Sequence, residues 1–430
     1  MNKKVTVGFL VSICSLVCAV TFTLTMFVSM GLFDSKMSST KARESMYTKI
    51  AEVDSYVRDN YVGEIDDEYL MNQMLKGYVS GINDTYARYY SVAEWKSVQE
   101  GFSGKVNGIG IKSKVDTTGY LRVVKVYDNT PAQEAGIEVG DLIIAVDNSD
   151  VLSIGAANAN ALIAGDPGTQ VHVKYLRDND EKEADLVRRA ILVPSVEYQV
   201  VGNAGYIAIS EFGQNTAVQF EAGLNHLMKQ NIGSLVIDLR DNEGGLLSTC
   251  SKVLDMLVGK SNMIKAQYKG GNVKVLYNSD SNKTDLPITL VVNENTASSA
   301  ELFCAVLQKE NDAKIVGTKT YGKGVMQEYR QLSDGSGIDV TIAYLMTSDN
   351  KTFHGEAIKP HYEIQLTAQQ LQQSYLFTVE TDPYLLKAFE VAQSGSIQAG
   401  TNTPATNTDP GADAAGDTNT AAFAKLFFIA

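Results

Sequence analysis

Three short stretches combine residue types that can break an acyl bond. The first, Arg240-Asp241-Asn242-Glu243-Gly244-Gly245, follows the apolar run Leu235-Val236-Ile237-Asp238-Leu239. A glycine pair between a strand and a helix lets backbone N–H groups face a ligand, and the helix N-terminus adds partial positive charge. That describes half of an oxyanion hole; it equally describes a close-packed turn. The second, Glu294-Asn295-Thr296-Ala297-Ser298-Ser299-Ala300-Glu301, follows the apolar run Ile288–Asn293. A hydroxyl at such a junction is exposed and close to helix-end N–H groups, as a nucleophile requires. The same residues would serve as plain N-caps. The third, Tyr321-Gly322-Lys323-Gly324-Val325-Met326-Gln327, sets a lysine between two glycines. Gln327 stands four positions on, which puts both side chains on one face of a helix or a strand. Lysine is a general base only when neutral. Its pKa must then fall from about 10.4 to near 7, worth about 4–5 kcal/mol and achieved mostly by desolvation. A glutamine orients the amine without restoring its charge, as a carboxylate would. A phosphate-binding loop is excluded, since GxxxxGK[ST] is absent.

Histidine offers a competing triad. His172, His226, His354 and His361 are scattered, and none has a carboxylate arranged for a relay, so packing or surface roles are expected. Cys250 and Cys304 are isolated in helix-like stretches and read as small buried hydrophobes. No Cys/His cluster suggests a metal, and no cofactor is expected.

The elements that must position these residues follow from periodicity. Residues 41–100 read as helical, with Met46, Ile50, Val53 and Val57, then Leu70, Met74, Tyr78 and Ile82, at helical spacing. Residues 101–180 read as a compact unit of short strands. Thr130-Pro131 starts a helix there, Gly136 stops it, and Val171, Val173 and Tyr175 alternate as in a half-buried strand. Residues 190–375 alternate strands (Tyr206–Ile209, Leu235–Leu239, Ile288–Val292) with helices (Thr216–Gln230, Leu246–Val258, Ala300–Gln308), which argues for an α/β core. A C-terminal helix falls within 376–392. Residues 393–430, mostly Ala, Thr, Asn, Gly and Asp, read as a disordered tail. Its apolar end, Leu426–Ala430, suggests a self-substrate or an occupant of the chain's own peptide groove.

At the other end, Lys3 and Lys4 precede an uncharged run from Val5 to Phe33, closed by Asp34 and Lys36. The run exceeds the about 20 residues a bilayer needs and is too long for a signal-peptide core. Residues 1–36 are therefore expected to be an uncleaved signal anchor, with residues 5–33 in the membrane. The positive-inside rule then puts all that follows outside the cytoplasm. In the whole chain of 430 residues, 37 basic residues against 50 acidic ones give a formal net charge of −13. Non-specific nucleic-acid binding, which needs phosphate neutralisation, is not expected.

Taken together the motifs resemble those of the C-terminal processing peptidases, tail-specific serine proteases with a Ser–Lys dyad and a PDZ domain. The resemblance covers about residues 41–392. It includes Asn83-Asp84-Thr85-Tyr86, the PDZ-like run Thr130-Pro131-Ala132 to Gly140-Asp141, and the three stretches above in the family's order. It implies an N-terminal transmembrane helix, a helical segment, an α+β PDZ domain and an α/β protease core of repeated ββα units (crotonase-like). The interval from Ser298 to Lys323 matches the family's serine-to-lysine distance and favours Ser298 over Ser299. By resemblance Ser298 is the nucleophile, Lys323 the general base and Gln327 its orienter. The N–H groups of Gly244 and Ser299 would form the oxyanion hole. Gly108-Ile109-Gly110-Ile111 would receive a substrate's C-terminal carboxylate, with the peptide added as an edge strand. Asn295 stands where the family has glycine, and serine and alanine are exchanged after the nucleophile.

The expected activity is that of a membrane-anchored, extracytoplasmic endopeptidase acting on proteins with apolar C-termini. The alternatives are a catalytically inactive PDZ adaptor binding C-terminal peptides, and a carrier of small apolar ligands. A basic residue at the end of the PDZ unit, Arg177, is a candidate reporter of peptide binding. The helical ends would either mediate a homodimer or pack on their own core.

Overall fold

The computed structural model describes residues 7–102, 105–280 and 283–398. The expected tail therefore lies, from residue 399 on, outside the described residues. The chain divides into two compact units, the first ending at Leu75 and the second beginning at Lys76.

In the first unit one helix runs without a break over Val7–Asn60. The expected anchor and the first apolar pattern after it are thus one element. Its C-terminal end carries an exposed ion pair between Arg58 and Asp54 at 2.9 Å, in the i,i+4 geometry that supports a helix by a few tenths of a kcal/mol. Among the described residues no helix is long and apolar enough to cross a membrane. The anchor reading of residues 5–33 accordingly rests on the sequence.

The second unit departs from the all-helical expectation for residues 41–100. Arg88–Tyr90 is a strand, paired antiparallel with Gly337–Met346, and helix Val92–Phe102 follows it. A three-residue strand carries too little alternation to announce itself, and its partner lies some 250 residues away. Trp95 packs so closely over Gly337 that a Cβ there would come within 1.9 Å of the indole.

The PDZ unit is a sheet in which Ile111–Val115, Leu121–Val126, Leu142–Val146, Gln170–Arg177 and Asp180–Val187 are neighbours in that order. Thr130 caps the short helix Pro131–Glu134, as expected. Alternation along Gln170–Arg177 buries Val171, Val173 and Tyr175 beside Ile109, Ile111 and Ile163. Strand Ile111–Val115 is an edge of the sheet, with its second hydrogen-bonding side unpaired by the sheet.

The α/β core is built on a six-stranded sheet in the order Val196–Val201, Ala204–Ile209, Ser234–Asp238, Ile288–Val292, Lys314–Gly317, Tyr362–Glu363. All neighbours after the first pair are parallel. Parallel strands are covered on both faces, so Ser234–Asp238 and Ile288–Val292 are buried at every position, and their apolar residues (Leu235–Ile237, and Ile288 with Leu290–Val292) follow no in–out alternation. Helices Thr216–Met228, Leu247–Asp255 and Ser299–Glu310 supply Phe220, Leu254 and Phe303 to one face. Helix Pro383–Gln398 covers the other with Leu385, Ala388 and Phe389. Each large apolar side chain so buried contributes about 1.5–3 kcal/mol. Arg240, held by Asp238 at 2.6 Å and Asp382 at 2.7 Å, fastens the start of that last helix to the sheet.

Candidate active site

The three chemically interesting stretches leave the carboxyl ends of three adjacent parallel strands. Ser234–Asp238 runs into Arg240–Gly245, Ile288–Val292 into Asn293–Ser298, and Lys314–Gly317 into Thr318–Lys323. The crevice outside the carboxyl ends of such strands is where α/β sheets bind ligands. Here it is a cavity of about 420 Å³ lined by Ser298, Ser299, Lys323, Gln327 and Gly245, with apolar walls from Leu246, Val325 and Leu345. Among the described residues, no histidine lines it.

Ser298 sits at φ 55°, ψ −120°, immediately before helix Ser299–Glu310. A non-glycine residue in that half of the map stores about 1–3 kcal/mol of strain. What holds it is Glu301, fully buried, whose carboxylate accepts the Ser298 N–H at 3.0 Å. The same carboxylate accepts the Gly322 N–H at 2.7 Å, the Lys323 N–H at 2.8 Å and the Thr320 hydroxyl at 2.5 Å. One side chain therefore fixes the backbone of the hydroxyl-bearing turn relative to that of the lysine loop. Burial pushes the Glu301 carboxyl above its ordinary value, and these four donors oppose that rise. Glu301 was legible within a motif; its function as a clamp was not, because its partners come from a loop about twenty residues later.

Lys323 Nζ donates to Gln327 Oε1 at 2.5 Å, and Gln327 Nε2 donates to the backbone oxygen of Tyr86 at 2.7 Å. The second bond determines which end of the amide faces the amine, since the Tyr86 carbonyl accepts only an N–H. The Tyr86 ring lies 4.8 Å from Lys323 Nζ. Asp84 in turn accepts the N–H groups of Tyr86 at 3.0 Å and Thr341 at 3.1 Å, which anchors this turn against strand Gly337–Met346. Desolvation lowers the Lys323 pKa; Asp339 works against it, Arg88 with it, and Asp84 and Glu243 against it. Among the described residues Lys323 forms no ion pair, so no carboxylate in contact holds its proton.

The glycine loop separates its two glycines. The Gly244 N–H donates to Asn242 Oδ1 at 2.9 Å, inside its own turn, rather than standing free toward the cavity. Asn242 is fully buried and also donates through Nδ2 to the Ile209 oxygen at 2.9 Å. Gly244 is needed for a different reason: at φ 105°, a Cβ there would lie 2.9 Å from Ser298 Cβ and 3.0 Å from Ser299 N. Gly245, not Gly244, lines the cavity. The Gly244 C=O and the Leu246 N–H bond to Phe212, which turns the Gly245 N–H away from that strand. The sequence could not separate the two glycines, because their roles depend on which N–H the preceding asparagine captures.

In the PDZ unit, Ile109 and Ile111 are fully buried, and the Gly110 carbonyl accepts the Tyr127 N–H at 3.0 Å. Gly108–Ile111 therefore leads directly into the edge strand. Arg177 does not leave this unit: it donates to Asp141 at 2.7 Å, Glu138 at 2.8 Å and the Gly136 carbonyl at 2.6 Å. Among the described residues, basic side chains of the unit that reach the core include Lys114, with Nζ 2.6 Å from Asp241, and Lys125, which pairs with Glu197 of strand Val196–Val201.

A sheet of this kind, with a PDZ unit inserted before it and serine and lysine on one cavity, defines a serine peptidase of the tail-processing class. Residues 203–364 match the model of peptidase family S41, and residues 107–187 match that of the PDZ domain. The chain is 30% identical over 338 residues to the Probable CtpA-like serine protease of Staphylococcus epidermidis, covering 78% of this chain and 69% of that one. It is 28% identical over 369 residues to the carboxy-terminal processing protease CtpA of Bacillus subtilis, covering 85% of this chain and 78% of that one. Among solved structures, the photosystem II D1 C-terminal processing protease aligns with a TM-score of 0.50 and 24% identity, over 71% of this chain and 84% of that one. The chain belongs to the C-terminal processing peptidases of family S41 and is a serine-type peptidase with a PDZ domain.

Proposed function

We propose that this chain is a membrane-anchored endopeptidase that cuts protein substrates near apolar C-termini outside the cytoplasm, through an acyl-enzyme on Ser298. Lys323 takes the Ser298 hydroxyl proton as the oxygen attacks the scissile carbonyl. The resulting ammonium returns that proton to the leaving amine as the C–N bond breaks. A water molecule, deprotonated in the same way, then releases the acyl group. Gln327 aims the amine. The N–H groups of Ser299 and Gly245, rather than Gly244, face the developing oxyanion. The loop Gly108–Ile111 and the edge strand after it receive the substrate's C-terminus.

The observation that carries this reading is the desolvated Lys323 amine, oriented by a neutral amide and opening on the same cavity as a strained serine. An adaptor or an apolar-ligand carrier requires none of these. A fluorophosphonate probe tests it: wild type should be labelled at Ser298, while Ser298→Ala and Lys323→Met should not. An unlabelled wild type would leave the adaptor reading. The anchor and topology are supported by the uncharged run after Lys3 and Lys4. Full-length protein should fractionate with membranes and be digested by protease added outside the cell, and a chain lacking residues 1–36 should be released.

A further inference from the structure

Asp241 occupies an unusual place. It sits at φ 58°, one residue after Arg240 and three before Gly244. Its backbone N–H donates to Asn293 Oδ1 at 2.9 Å. Its carboxylate accepts the side-chain amides of Asn293 and Asn295, each at 2.8 Å, and the Lys114 ammonium at 2.6 Å. The donors come from two places. Asn293 and Asn295 lead into the Ser298 turn, whose Ala297 N–H also donates to the Asn242 carbonyl at 2.9 Å. Lys114 belongs to the PDZ edge strand Ile111–Val115. Asn295 is the residue that stands where the resembled family has glycine. Its side chain gives this chain a bond between the serine turn and the glycine loop that a glycine has no atoms to make.

We propose that Asp241 is a positioning residue for the glycine loop, holding it in register with the Ser298 turn, and that Lys114 completes its set of donors from the PDZ strand. The proposal rests on the peptidase reading above and deepens it. Asp241 acts through Gly244 and Gly245, not on substrate. With Lys114 removed, a largely buried carboxylate loses the cation bonded to it, and the loop it belongs to loses its fixed distance from the serine. The Lys114 side chain is 41% exposed, so the pair adds little to global stability. Its effect is on alignment, and misplacing an oxyanion donor by about 1 Å costs on the order of 100-fold in rate.

The test uses the full chain and the variants K114M, K114R and D241N. Fluorophosphonate labelling of Ser298 should slow at least about tenfold in K114M and D241N, and K114R should recover most of the loss. A short peptide ending in a carboxamide should show the defect in kcat with KM nearly unchanged. Thermal midpoints should stay close to wild type in K114M, which keeps the proposal testable if D241N folds poorly. Hydrogen exchange at residues 240–246 reads the same link without catalysis and should be faster in K114M. Labelling of K114M at the wild-type rate, or a defect confined to KM for carboxylate-ended substrates, would reduce the pair to a docking contact. Unchanged exchange would overturn the proposal even where no protein is labelled; absent labelling of wild type would overturn the peptidase reading instead.

Discussion

At the level of single side chains, Glu301 holds two loops together and Lys323 is the general base of the proposed mechanism. Glu301→Gln replaces an acceptor of four hydrogen bonds with a group that brings two N–H donors into the same space. Each buried donor left unpaired costs about 1–3 kcal/mol. The variant should melt lower, and its surviving folded fraction should be labelled at Ser298 about 100-fold more slowly, because the two loops lose their common reference. The amine makes a prediction with a sign. As the proposed base it must be neutral, so kcat/KM should rise with pH through the Lys323 pKa, which desolvation sets below that of an ordinary lysine. Arg88 lowers that pKa and Glu243 raises it. Arg88→Gln should therefore shift the rising limb to higher pH, and Glu243→Gln to lower pH. Profiles of both variants on one peptide decide it; shifts in the same direction would contradict the assignment of the limb to Lys323.

Among the elements, adjacency explains what periodicity found. The runs Leu235–Leu239 and Ile288–Val292 announced buried strands because both faces are covered, and the three motifs met because the strands before them are parallel neighbours. What stayed hidden was short or paired at long range: the strand Arg88–Tyr90, the clamp on residues 320–323, and the choice between Gly244 and Gly245. Such features depend on hydrogen bonds between segments far apart in the chain, which leave no local pattern. One close junction between core strands makes an element-level prediction. Gly317, at φ 140°, would place a Cβ 1.9 Å from the Val292 carbonyl oxygen. Gly317→Ala must push neighbouring core strands apart. Backbone strain alone is about 1–3 kcal/mol, and the loss should appear as a lower urea midpoint and as slower labelling of Ser298.

For the molecule as a whole, Arg240 joins the sheet to the helix that closes its far face, bonded to Asp238 on one side and Asp382 on the other. Arg240→Met leaves two buried carboxylates without their cation, a loss of about 3–5 kcal/mol. Helix Pro383–Gln398 should then become the first segment to open, measured as earlier proteolysis after residue 382 in the variant than in wild type. One long-range link is that between Tyr86 and Gln327, separated by 241 positions in sequence. The amide that aims the amine takes its orientation from the far side of the PDZ insertion. A ribosome must therefore release the chain past residue 327 before the proposed serine–lysine site can assemble, and a nascent chain shorter than that has no means to cut itself or its neighbours.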